Sequence, residues 1–133
     1  MDHEFVVRHL DRQQQRRAHA AARDDQRAVV VLTHEERFDI PALVGALRSD
    51  AFYVGAIGSR RTQENRRARL AEEGLTEDDI ERISGPTGLD LGAETPAETA
   101  VSILAEILAV RTDRSGGRLK DATGRIHAEL QRR

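Results

Sequence analysis

Apolar residues in this 133-residue chain fall into short blocks, and the period changes from one block to the next. Arg27 to Leu32 (RAVVVL) sets three consecutive valines between alanine and leucine. β-Branching without polar alternation predicts a strand buried on both faces, the pattern of a parallel sheet. Phe52 to Ile57 (FYVGAI) predicts a second such strand, and Glu4 to Arg8 (EFVVR) a shorter one. Between the two longer strands, Ala42, Leu43, Ala46 and Leu47 recur at helical spacing, and Asp39 with Pro41 predicts a helix opening there and running through Arg48. Gly58 turns the chain and Ser59 caps a helix reaching Gly74; Thr76 with Asp79 opens a short helix ending near Ser84. Residues 85–94 (GPTGLDLGAE) have no regular period and read as a glycine-rich loop. Thr95, Pro96 and Glu98 place a cap, a first-turn proline and a capping-box acid ahead of Ala100, Val101, Ile103, Leu104, Ile107 and Leu108. The leucines and isoleucines of that helix are expected in the core. His9 to Arg23, rich in Gln, Arg and Ala, has the propensity of a further helix.

Strands alternating with helices predict an α/β domain with a parallel sheet and right-handed crossovers. The length suits one domain. We read residues 28–111 as that domain, 1–27 as a polar strand and helix segment, and 112–133 as a basic tail made flexible by the RSGG break and Gly124. Residues 28–110 carry fifteen acidic against eight basic groups, whereas 111–133 carry three against seven, so an acidic body ends in a basic tail. Twenty of the 21 basic residues are Arg, which reads as compositional bias before it reads as phosphate recognition. A net charge of −2 and four aromatic residues argue against nucleic acid. No apolar run approaches the ~20 residues of a membrane span, and no basic-then-apolar leader follows Met1, so a cytoplasmic home and no membrane partner are expected. The absence of cysteine removes thiol chemistry and disulfides.

In open parallel sheets ligands sit beyond the carboxyl ends of the strands. That rule selects Thr33 and His34 after the first valine-rich strand, and Gly55 to Arg61 after the second. Within Gly55-Ala56-Ile57-Gly58-Ser59-Arg60-Arg61, a helix start offers free N–H groups and a favourable dipole, and two arginines add fixed charge, so a phosphate or carboxylate fits. The same residues also suit an ordinary tight turn with solvated arginines. The GxGxxG pattern of a self-sufficient dinucleotide site is absent. His34, with Thr33 before it and Glu35, Glu36 and Asp39 after it, is a candidate for proton transfer or metal ligation, or simply a hydrogen-bonding loop residue. His3, His9, His19 and His127 have no ligand spacing, and no metal site follows. Gly88, Asp90 and Gly92, ahead of the well-capped helix, can bring backbone and a carboxylate near a ligand or merely permit a compact loop.

Three blocks, VVVLTHEERFDIPAL, ALRSDAFYVGAIGSRRT and GPTGLDLGAETPAETAVSILAEILAVR, together resemble the carboxyl-terminal Rossmann-like domain of the XdhC/CoxI family over about residues 28–111. The resemblance implies a non-catalytic accessory factor for molybdenum hydroxylases such as xanthine dehydrogenase, one that binds molybdenum cofactor, supports its sulfuration and hands it to the apoenzyme. Carried over, the family's LTH block is Leu32 to His34, its GALGSRRT block is Gly55 to Thr62 with Ile57 for leucine, and its GPIGLDIGA block is Gly85 to Ala93. Gly58, Ser59, Arg60 and Arg61 are then expected at a cofactor phosphate, with Thr33, His34, Gly55, Gly88, Asp90 and Gly92 around them. Against the family pattern, the cysteine-bearing amino-terminal domain and the glycine-loop start of the Rossmann unit are missing. The expectation is a partial Rossmann-like sheet, shortened at its amino-terminal side, with an open edge beside the strand at 27–32. Self-association, or a separate XdhC half through which a cysteine desulfurase acts, would cover that edge. Two other readings are an NAD(P)-binding oxidoreductase-like fragment, whose arginine pair would face a 2′-phosphate, and a non-catalytic interaction module.

Overall fold

The valine run forms the centre of a four-stranded, wholly parallel sheet. The computed structural model describes residues 4–6 and 24–127; the helix predicted over 9–23 lies outside them. In chain order the elements are β1 (Glu4–Val6), β2 (Asp24–Val31), α1 (Glu36–Leu47), β3 (Ala51–Ala56), α2 (Arg60–Glu72), α3 (Glu77–Glu81), β4 (Ile83–Ser84), α4 (Pro96–Thr112) and a 3-10 turn at Leu119–Asp121. The strands lie side by side in that same order.

Alternate residues of the two central strands point to opposite faces, and parallel register keeps partners on the same face. Val29, Val31, Val54 and Ala56 face one layer, where Ile40, Leu43, Ala46 and Leu47 of α1 pack with Leu70 of α2 and with Leu75 and Ile80. Ala28, Val30 and Tyr53 face the other, where α4 contributes Ile103 and Ile107. The buried runs of β2 and β3 are thus covered on both sides, as their lack of alternation predicts.

Local signals place most helix ends. The Ser59 Oγ accepts the Thr62 N–H at 3.1 Å, and Thr76 with Asp79 and Thr95 with Glu98 close reciprocal capping boxes. The Glu98 carboxyl is held below its ordinary range by the N–H groups of Glu94 and Thr95 that it accepts.

Several expectations are corrected. The edge beside β2 is not open: β1 pairs there, with Glu4 opposite Arg27, Phe5 opposite Ala28 and Val6 opposite Val29. β2 also begins at Asp24, with a register shift between Asp24 and Ala28 that accommodates two extra residues against β3. α1 starts at Glu36 rather than near Asp39, so Pro41 sits inside the helix and Asp39 is turned inward to a buried partner. A further strand, β4, follows α3; its two residues pair Ile83 with Val54 and Ser84 with Gly55, too short a run for any periodicity. Finally, Leu104 and Leu108 are 47% and 53% exposed, because among the described residues nothing packs on the outer side of α4. With Val101 they form an apolar stripe at i, i+3, i+7 opposite the buried face. No helix among the described residues is long and apolar enough to cross a membrane.

Candidate functional site

Three loops leave the carboxyl edge of the sheet together. They are residues 32–35 after β2, 57–59 after β3 and 85–95 after β4. The Ile57 N–H donates to the Val31 carbonyl at 2.9 Å and the Thr87 N–H to the Ala56 carbonyl at 3.1 Å, which draws the three loops into one rim. Thr33, His34, Gly58, Ser59, Arg60, Arg61, Gly88, Asp90 and Gly92 all belong to this rim or open the helix rising from it. Gly55 does not: it is buried within β3.

Gly55 has a packing requirement of its own. A Cβ there would lie 2.6 Å from the Thr87 Oγ1 and 2.9 Å from the Tyr53 hydroxyl oxygen, so β3 and the third loop approach only over a glycine. Gly58 has a φ of 126°, the left-handed region that lets the chain leave β3 and enter α2 at once. Ser59 spends its side chain on the α2 cap, and His34 and Asp90 stand exposed on the rim.

The charges on α2 are distributed unevenly. Arg66 is buried against Asp39 at 2.9 Å, Arg67 pairs with Glu77 and Glu81, and Arg69 pairs with Glu36 and Glu72. Arg60 and Arg61 are exposed, and neither pairs with a described residue. The two arginines of this helix without an ion pair to a described residue therefore stand in its first turn, where N–H groups lack helical acceptors and the dipole is positive. Such an end suits a phosphate or carboxylate.

The rim is held from beneath by residues that the strand-end rule does not reach. The Arg66 guanidinium donates to the Ile57 carbonyl at 2.5 Å, the Thr33 carbonyl at 3.0 Å and Asp39 Oδ2. The Thr33 hydroxyl donates to the other carboxylate oxygen, Asp39 Oδ1. Beside them, Gln63 Nε2 lies within 3.3 Å of the carbonyls of Ala56, Ile57 and Gly58. The side chains of Asp39 and Arg66 are 1% and 3% exposed, and no buried side-chain polar atom among the described residues lacks a partner. In sequence, the only signal for this pair is an arginine and an aspartate at helix positions that face inward.

The third loop is anchored by α4 instead. Glu106 Oε1 accepts the Tyr53 hydroxyl at 2.6 Å and the Gly88 N–H at 2.8 Å, while the Thr87 hydroxyl donates to the Tyr53 oxygen at 2.5 Å. Ser102 brackets Leu89, its hydroxyl donating to the Leu89 carbonyl and its own carbonyl accepting the Leu89 N–H. Burial, then the bond to Glu106, raises the Tyr53 hydroxyl well above its ordinary pKa and keeps it a neutral donor. Beyond this anchor, Leu91, Gly92, Glu98 and Val101 line a groove of about 260 Å³.

A parallel α/β sheet whose loops converge at the carboxyl edge, with an anion-suited helix start among them, defines a Rossmann-like domain. The chain belongs to the XdhC Rossmann domain family, whose sequence profile matches residues 2–107. It is 36% identical over 88 residues to the molybdenum cofactor insertion chaperone PaoD of Escherichia coli, covering 66% of this chain and 28% of that protein. It is 34% identical over 84 residues to a probable xanthine dehydrogenase subunit from Bacillus subtilis, covering 63% and 23%. Among solved structures it is similar to a chain in the crystal structure of a xanthine dehydrogenase from Bacillus halodurans. That match has a TM-score of 0.52 and 27% identity, over 68% of this chain and 25% of the other. The chain thus spans less than a third of the length of these relatives.

Proposed function

We propose that this chain acts as the Rossmann portion of an accessory protein that binds molybdenum cofactor and assists its insertion into a xanthine dehydrogenase-type hydroxylase, without catalysing a reaction itself. The observation that carries the reading is the pair of exposed arginines, Arg60 and Arg61, at the open end of α2, on a rim shared with His34 and Asp90, in a chain of the XdhC Rossmann family. The cofactor is cargo in this reading, and its phosphate is the group that the first turn of α2 suits. Arg60, Arg61 and the N–H groups of that turn hold the phosphate, and His34, Gly88, Asp90 and Gly92 border the rest of the group. The hydroxylase apoenzyme is the recipient.

The test is native mass spectrometry of the chain purified from a host that makes molybdenum cofactor, followed by titration of the apo chain with isolated molybdopterin. A bound pterin mass is the expected result. The double change Arg60→Ala and Arg61→Ala should weaken binding by about tenfold or more, since each charged hydrogen bond is worth roughly 1.5–3 kcal/mol. Unchanged affinity removes the phosphate role from α2.

A further inference from the structure

Two of the three rim loops share a single buried ion pair. Asp39 comes from α1 and Arg66 from α2, so the pair joins those helices and reaches two loops as well. Arg66 places one guanidinium on the carbonyls of Thr33 and Ile57, the first in the loop after β2 and the second in the loop after β3. Asp39 holds that guanidinium with one carboxylate oxygen and takes the Thr33 hydroxyl on the other. A planar fork that contacts two carbonyls and a carboxylate at once sets the distance between them more tightly than separate bonds would. The two charges cancel within the fold, so Arg66 adds little to the field felt by an incoming anion and leaves that work to Arg60 and Arg61.

We propose that Asp39 and Arg66 are positioning residues: they lock the Thr33–His34 loop and the Gly58–Arg61 turn into one rigid unit, so that both meet a bound phosphate-bearing ligand in a fixed relation. The proposal rests on the binding role inferred for this rim, and it makes a separate physical claim, that a change made in one loop is transmitted to the other through the pair. Pre-organised polar groups bind more tightly because no ordering cost is left for the ligand to meet.

The deciding experiment is amide NMR on the full chain carrying Thr33→Val, which removes only the hydroxyl that anchors the first loop to Asp39. The expected result is a shift of the Gly58 to Arg61 amide signals, more than twenty residues away, and molybdopterin affinity reduced about tenfold relative to wild type. A second variant, Asp39→Leu with Arg66→Met, replaces the pair by apolar groups so that neither charge is stranded. It should keep a cooperative thermal transition while losing the coupling between the loops. If Thr33→Val leaves the Gly58 to Arg61 signals in place, the proposal is overturned, as it is if the double variant binds molybdopterin with wild-type affinity. If the wild type takes up no molybdopterin, the binding role fails, and the amide coupling alone then decides whether the pair locks the loops.

Discussion

On the face carrying α1 and α2, the sheet meets two helices that also pack against each other, and the layer holds a charged pair at its upper end. On the face carrying α4, one helix among the described residues lies across Ala28, Val30 and Tyr53, and none of those residues covers its outer side. The same kind of amphipathic sequence therefore has different fates. Leu43 of α1 is fully buried, whereas Leu108 of α4 is 53% exposed. Burial depends on what arrives on the second side of a helix, and hydrophobic periodicity reports only that a first side exists.

The faces also anchor the rim differently. Asp39 and Arg66 hold the first two loops by a pair of opposite charges, while Tyr53 and Glu106 hold the glycine-rich loop by a single carboxylate that accepts two neutral donors. Removing half of the charged pair strands the other half in a dry interior. Arg66→Met alone should therefore have the largest effect on stability, about 3–5 kcal/mol in urea unfolding. A loss below about 1 kcal/mol would mean that water reaches Asp39.

Tyr53→Phe should cost less, about 1–3 kcal/mol, because it strips one donor from Glu106 and leaves the Gly88 N–H in place. Tyr53 is the chain's single tyrosine, so its ionisation can be followed directly by near-ultraviolet absorbance. Its pKa is raised in the folded state, first by burial and then by Glu106. The neutral hydroxyl thus contributes stability that is fully present below its unfolded pKa of about 10 and is lost as pH rises beyond it. Wild type should lose stability above that pH, and Tyr53→Phe should flatten this alkaline limb. Tyrosinate absorbance appearing near pH 10 in the still-folded protein would contradict the anchor.

The smallest effect is expected on the outer side of α4. Leu104→Gln and Leu108→Gln should each change stability by no more than about 0.5 kcal/mol, since neither side chain enters the core. A loss above about 2 kcal/mol at either position would show that this stripe is buried in solution and would erase the contrast between the faces.

Much of this architecture is legible in the chain because its signals are local. The reciprocal caps at Thr76 with Asp79 and Thr95 with Glu98 each span three residues, and the valine run announces a doubly covered strand by composition alone. The rim is legible for the same reason: Gly58, Ser59 and the LTH block sit where strands end, and parallel sheets collect ligands there. Asp39 misleads for want of a partner. Next to Pro41 it resembles a helix start, but the helix begins at Glu36 and Asp39 lies inside it, turned inward to Arg66, 27 positions later. Gly55 looks like part of a phosphate turn, while the approach of Thr87 gives it a packing role.

By itself, the sequence determined most element types, most caps, the parallel sheet and the strand ends that form the rim, because each follows from residues within a few positions of one another. The tertiary structure decided the placement of β1 beside β2, the two-residue β4, the exposure of Leu104 and Leu108, and the buried Asp39–Arg66 pair that ties two loops together. These depend on which distant surfaces meet, and on the cost of leaving a backbone group or a charge unpaired once they do.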